Sequence, residues 1–361
     1  MSKRKLTRQQ NWRIQKIQEE KAARLDRKSQ RVETDGEELG PEQEGLVVAH
    51  FGTLVEVEPA DLKWTAVAPA DTARTDVIAP YAPQEPASTT VQCHFRANVG
   101  AIVAGDRVVV RQGQSHGVVE AVLPRTSLLS RPDPRGNLKP VAANIDFIVL
   151  VITPEPAPSS VLIDRYLVAA ELQNIPIKIL LNKTDLLTAM NEAEIDALLN
   201  MYRAIGYPVL ESSVKTEHGL DELMQQLDQH ISVFVGQSGV GKSSLVNALL
   251  PGVNAKVGEL SEHSRLGRHT TTNARLFHFP SGGSLIDSPG IREFGLWHLE
   301  PDNLIEGFRD FDAWRFDCRF RDCKHLNEPG CALQAASERG DVHPQRLKNY
   351  FAILQSLYEI R

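Results

Sequence analysis

The run Gly236-Gln-Ser-Gly-Val-Gly-Lys-Ser243 constrains this chain more than any other stretch. Glycines at 236, 239 and 241 allow backbone conformations closed to other residues, so successive N–H groups can converge on one point. The run follows an apolar segment, 231–235, with the character of a buried strand, and opens into 244–250. There Leu245, Val246, Ala248 and Leu249 suit one face of a helix. Strand, glycine loop and helix in that order fit the pattern G-x-x-x-x-G-K-[ST], which cradles phosphates at a helix N-terminus. Gly236, Gln237, Ser238, Gly239, Val240, Gly241, Lys242, Ser243 and Ser244 are therefore expected to surround a nucleoside triphosphate. Lys242 would reach the β- and γ-phosphates, and the Ser243 hydroxyl would ligate Mg²⁺.

The surrounding pattern is that of a doubly wound α/β domain. Residues 146–152 are a nearly continuous apolar run, as in a strand buried on both faces of a parallel sheet. Strand patterns at 177–181, 209–210, 231–235 and 284–287 alternate with helical spacing at 159–173, 192–205 and 220–227. Asn182-Lys-Thr-Asp185 follows the second of these strands directly. In N-K-x-D, the carboxylate accepts two hydrogen bonds from the guanine edge. Adenine lacks the N1 donor and would leave the carboxylate unpaired at high cost. Asn182 would hold the loop and touch the base, the Lys183 stem would lie across the ring, and Thr184 completes the turn. A backbone N–H near Ser212 and Ser213, after the next strand, can meet the guanine carbonyl.

Beyond the phosphate loop, residues 265–272 form a segment able to bring a threonine hydroxyl to Mg²⁺, with Thr271 the first choice and Thr272 the second. Asp287-Ser-Pro-Gly290 matches D-x-x-G, in which the Asp supports the magnesium shell and the Gly N–H meets the γ-phosphate. The next residue is Ile291, where Ras-like enzymes carry a Gln that orients water. Slow intrinsic hydrolysis is expected. The missing function would come from His269 or from a partner. The motif order is also displaced, because Asn182 precedes Gly236. Joining the old termini and cutting elsewhere preserves such a site when the termini lie close together.

The flanks differ in texture. Short strand patterns at 46–49, 53–57, 91–95, 106–111 and 117–122 argue for a small all-β barrel or sandwich. An OB-like barrel fits, but the strands alone do not separate it from other small barrels. Residues 66–87 resemble a surface insertion, and 124–140, with Arg125, Arg131, Arg135 and Lys139, a linker with a basic edge. Three of the four cysteines fall in Cys318-x4-Cys323-x-His325-x5-Cys331, a donor set suited to one closed, structural zinc ion. Arg315, Arg319, Arg321 and Lys324 around it offer phosphate contacts or a solvated rim. Cys93 reads as a buried thiol, and 344–360 as an amphipathic helix.

The net charge of −6 conceals a basic arm: residues 1–31 hold eleven Lys or Arg against three acidic residues. Such an arm suits nucleic acid or stays a solvated tail. No apolar run reaches transmembrane length and no signal-peptide core is present, so a cytoplasmic protein with no membrane contact is expected.

In motif order, Asn182-Lys-Thr-Asp185, Gly236 to Ser244, Gly267-Arg-His-Thr-Thr-Thr272 and Asp287-Ser-Pro-Gly290, the chain resembles the RsgA (YjeQ) family of circularly permuted GTPases. The resemblance implies an OB-fold, a permuted GTPase domain and a zinc domain acting in late maturation of the small ribosomal subunit. The expected division is 1–44, basic arm and acidic linker; 45–124, OB-like β-barrel; 141–296, permuted α/β P-loop GTPase; and 297–361, a small, mostly helical zinc-binding domain. GTP, Mg²⁺ and one Zn²⁺ are the implied cofactors. The small ribosomal subunit and its rRNA are the implied partners of a monomer whose hydrolysis the subunit stimulates. The alternative is an RNA-binding checkpoint factor that uses GTP mainly as a conformational ligand.

Overall fold

The computed structural model describes residues 39–60, 90–96, 99–113, 116–132, 137–251, 274–287, 291, 301–326 and 328–359. The basic arm, the 66–87 insertion, the 265–272 segment with His269, Thr271 and Thr272, and Gly290 lie outside the described residues.

Strands β1 (Glu42–Phe51), β2 (Leu54–Pro59), β3 (Val91–Phe95), β4 (Arg107–Gln112) and β5 (Gly117–Val122) pair in the order β1-β2-β3-β5-β4, and β4 returns to β1. The closing pairs run from Glu42↔Arg111 to Leu46↔Arg107, and β3 lies parallel to β5. A register shift between Val47 and Ala49 bends β1, so that one long strand can serve both neighbours. Val47, Val55, Val57, Val108, Val110 and Val119 fill the interior with Cys93. Burial pushes the Cys93 thiol up to about 12, which leaves it a small apolar group. Full closure removes the edges of the sheet, and the order is that of an OB-like barrel.

Arg125 does not belong to a free basic edge. Its Nε and Nη2 donate to the two oxygens of the fully buried Asp106 at 2.7 and 2.8 Å, and Nη2 also donates to the Ala101 carbonyl at 2.6 Å. Nor are residues 124–140 only a linker, for β6 (Leu128–Pro132) and β7 (Leu138–Ala143) form an antiparallel hairpin. Leu129, Ala142 and Ala143 are its buried side. Its prolines, misleading in the sequence, are tolerated because each strand of a two-stranded sheet keeps one side free of pairing.

The central sheet runs β10 (Val209–Ser212), β9 (Ile177–Asn182), β8 (Phe147–Ile152), β11 (Ile231–Val235), β13 (Ser284–Asp287), β12 (Arg275–His278). Only β12, a strand the sequence reading did not include, is antiparallel to its neighbour here. All six residues of β8 are buried. Ile148, Leu150 and Ile152 face the core shared with α1 (Ser160–Glu171) and α2 (Glu192–Ile205). Phe147, Val149 and Val151 face the opposite core, with Leu223 and Leu227 of α3 (Asp221–Leu227) and Leu245, Val246 and Leu249 of α4 (Lys242–Leu249). Loops at the C-terminal ends of the parallel strands are thus gathered along one edge of the sheet.

Two seams join the flanking units to this sheet. β1 meets β12 at Ala49↔Arg275, which makes barrel and central sheet one continuous eleven-stranded sheet. Arg275 pairs with Glu56 at 3.1 Å and His278 with Glu58 at 2.5 Å across that joint. On the other side, short 3₁₀ turns (Pro301–Gly307 and Arg309–Phe311), the cysteine loop, α5 (Ala332–Arg339) and α6 (Pro344–Glu359) surround Leu304, Phe308, Phe311 and Tyr350. Val168 of α1 belongs to the same cluster. Among the described residues no helix is long and apolar enough to cross a membrane.

Candidate nucleotide and metal sites

The phosphate loop is shaped by close approaches that only glycine tolerates. Gly236 has φ +138, and a Cβ there would lie 2.3 Å from the Val151 carbonyl oxygen. Gly241, at φ +95, precedes α4, and a Cβ there would lie 2.5 Å from Nδ2 of Asn182. Val240 anchors the loop in the core, whereas Gln237, Ser238, Gly239, Ser243 and Ser244 are exposed at its mouth. Lys242 reaches back over the loop, and its Nζ donates to the carbonyls of Gly236 at 2.7 Å and Gln237 at 2.5 Å.

The Asn182–Asp185 turn is fastened to this loop although 54 positions separate Asn182 from Gly236. Buried Asn182 donates from Nδ2 to the Val240 carbonyl at 2.9 Å, and its Oδ1 accepts from Ser212 Oγ at 3.1 Å. Lys183 takes the left-handed conformation at φ +59 and donates from Nζ to the Gly239 carbonyl at 2.8 Å. Thr184 Oγ1 donates to the Ser212 carbonyl at 3.4 Å. The Asp185 carboxylate accepts from Ser213 Oγ at 2.7 Å and pairs with Lys215 Nζ at 3.0 Å. These contacts, the Ser213 hydrogen bond first, hold its carboxyl below the usual carboxylate range, so it stays a pure acceptor. From the sequence the stretch Ser212-Ser-Val-Lys215 offers only a backbone N–H; the structure adds the side chains of Ser212, Ser213 and Lys215. Their signal was position: all close the loop after β10.

Asp287 ends β13, three residues beyond the Ser284↔Ile231 pair and beside the strand that enters the phosphate loop. Ile291 is 2% exposed and packs in the core that holds α1 and α2, so it is not aimed at the nucleotide edge.

The cysteine loop forms a compact donor set. The ligand atoms of Cys318, Cys323, His325 and Cys331 all lie within 4.8 Å of one another. Cys318 Sγ is 3.9 Å from Cys331 Sγ and 3.4 Å from His325 Nδ1. A tetrahedron with Zn–S of about 2.3 Å has sulfur–sulfur edges of about 3.8 Å, so the four residues fit one zinc ion. The Ala332 N–H donates to Cys318 Sγ at 3.3 Å, which orients the sulfur toward the centre of the set. Burial lowers the His325 pKa, which favours the neutral, metal-binding imidazole. Around the loop, Arg315 and Lys324 hold Asp312 and Asp302 at 3.1 and 2.9 Å rather than standing open.

A G-x-x-x-x-G-K-S loop, an N-K-x-D turn and the strand end that carries Asp287 meet on one sheet edge in permuted order, the arrangement of a circularly permuted GTPase. The model of the family described as RsgA GTPase matches residues 122–297. Proteins named small ribosomal subunit biogenesis GTPase RsgA from Pseudomonas aeruginosa and Azotobacter vinelandii are 55% and 54% identical over 362 aligned positions, covering 99% of both chains in each case. A crystal structure of YjeQ from Thermotoga maritima superposes with a TM-score of 0.67 at 30% identity, covering 88% of this chain and 99% of that one. YloQ, described as a circularly permuted GTPase, superposes at 0.65 with 28% identity, covering 89% of this chain and 96% of its own. The chain belongs to the RsgA GTPase family: it is a GTP-hydrolysing enzyme that works with Mg²⁺, and its Cys₃His cluster fits one zinc ion.

Proposed function

We propose that the protein is a cytoplasmic, monomeric GTPase that docks on the immature small ribosomal subunit, contacts its rRNA and leaves on hydrolysis. The observation that carries this reading is 55% identity, end to end, to a relative named for biogenesis of that subunit. Asp185 selects guanine, with Asn182, Lys183, Thr184, Ser212 and Ser213 shaping the base pocket. Gly236 to Ser244 cradle the phosphates, Lys242 spans the β- and γ-phosphates, and Ser243 and Thr271 complete the Mg²⁺ shell. Asp287 supports that shell, and the Gly290 N–H meets the γ-phosphate. In this reading the chain divides at 1–44, 45–124, 141–296 and 297–361, with the β6–β7 hairpin between barrel and GTPase.

Ile291 offers no group to orient water, so hydrolysis is slow until His269 or the subunit supplies one. RNA contact is supported by the rim of the zinc loop. Phe316 is 80% exposed and Phe320 44%, and guanidinium groups of Arg315 and Arg319 lie 4.6 and 5.4 Å from the respective ring centres. Unpaired bases stack on exposed rings while the exposed Arg319 meets phosphates; Arg315, held by Asp312, orients the Phe316 ring. The test is GTP turnover with and without purified small subunits. Acceleration of at least tenfold is expected; an unchanged rate removes the coupling to the subunit.

A further inference from the structure

One carboxylate ties together elements that the chain keeps far apart. Asp164, in α1, has no exposed surface. Its Oδ1 accepts from Tyr202 Oη of α2 at 2.8 Å and from Arg346 Nη1 of α6, and its Oδ2 accepts from Asn349 Nδ2 of α6 at 2.7 Å. Arg346 is itself fully buried, 4.5 Å from the Phe308 ring centre. Its remaining donors go to Asp310, Nη2 at 2.7 Å and Nε at 3.2 Å. The Ser160 carbonyl lies 3.2 Å from Tyr202 Oη and shares its single proton with Asp164, closing the network on the first turn of α1.

Each helix on Asp164 leads to a different part of the site. The segment entering α1 forms one wall of a small cleft, through Pro156, Pro158 and Ser159, and Gln237 and Val240 of the phosphate loop form the other. α2 is the helix that follows the guanine-reading turn. α6 belongs to the C-terminal unit with the zinc set. Burial pushes the Asp164 carboxyl up, and the Arg346 guanidinium leads the contacts that oppose it. A buried charge stripped of its partner is strongly destabilising.

We propose that Arg346 is a positioning residue of the nucleotide pocket: the C-terminal unit supplies the counter-ion without which α1 and α2 do not hold the phosphate loop and the guanine-reading turn in register. Docking of the zinc unit and affinity for guanine nucleotide are then two sides of one equilibrium, and each strengthens the other equally. Nothing in the nucleotide motifs indicates this, because Arg346 lies more than 100 positions beyond Lys242.

The test uses the full chain with zinc content checked. Arg346→Met keeps much of the side-chain volume and removes the charge. It is expected to weaken binding of fluorescent GDP about fivefold and to speed amide exchange in α1 and α6 together. Asp164→Asn and Asp310→Asn with Arg346→Met removes all three charges of the network and is expected to recover most of the lost affinity. If Arg346→Met fails to fold, Asn349→Ala removes one hydrogen bond to Asp164 and is expected to weaken GDP binding about twofold. Unchanged GDP affinity in a variant whose α6 exchanges faster overturns the proposal, because Arg346 would then be only an anchor for the C-terminal unit. A triple variant no tighter than Arg346→Met alone overturns it as well.

Discussion

Gly241→Ala tests the contact between the two nucleotide loops most directly. At φ +95 an alanine is strained by about 1–2 kcal/mol. Its Cβ would also stand 2.5 Å from Asn182 Nδ2, so the amide must withdraw and give up its 2.9 Å bond to the Val240 carbonyl. That loss adds about 1 kcal/mol. Together the terms amount to about 2–3 kcal/mol, or roughly 30- to 150-fold in affinity for guanine nucleotide. Gly239→Ala is the matched control: φ is +87, but no atom lies within 4 Å of the added Cβ. It carries the strain alone and should weaken binding by less. Both variants would be titrated with a fluorescent GDP analogue after circular dichroism has verified folding. Binding by Gly241→Ala within threefold of wild type, or equal to that of Gly239→Ala, refutes the claim that this glycine is there for Asn182.

Three further outcomes are expected. Asp185→Asn abolishes the preference for guanine over adenine nucleotides in competition binding. With the parent carboxyl already below its usual range, wild-type affinity should stay flat from about pH 5 to 8 and fail only in stronger acid. The barrel joint responds in the opposite sense. The hydrogen bond to Glu58 raises the His278 pKa, so the stability this pair contributes is complete below about pH 6.5 and fades as pH rises through the raised value; the melting-temperature gap between wild type and His278→Gln should shrink from pH 6 to 9. Cys323→Ser should lower zinc from one ion per chain to none by elemental analysis and reduce the melting temperature, because binding energy at a structural zinc site is folding energy.

The guanine and phosphate motifs were legible because their chemistry demands particular residues on loops that follow apolar strands, and those strands are buried as their patterns suggest. The closing of the barrel was not, since pairing of β4 with β1 joins segments whose patterns read alike in a barrel or a sandwich. The hairpin at 128–143 was hidden by Pro132 and Pro140, residues that a two-stranded ribbon accepts on its outer sides. Arg346 and Asp164 were invisible for another reason. A charged residue in an amphipathic helix reads as solvent-facing, and only the docking of α6 on α1 turns that face inward. Lys215 sat in plain view after β10, but its bond to Asp185 depends on how the next turn folds back.

The meeting of β1 with β12 also covers one border of the central sheet. Without the barrel, β12 would be an outermost strand with bare amides and carbonyls, a template on which a second copy could add. Ala49↔Arg275, with the ion pairs beside it, occupies that border, so the barrel covers this end of the sheet and leaves β10 as the outermost strand of the other. A fragment lacking residues 1–124 would carry an open border that the whole chain keeps covered.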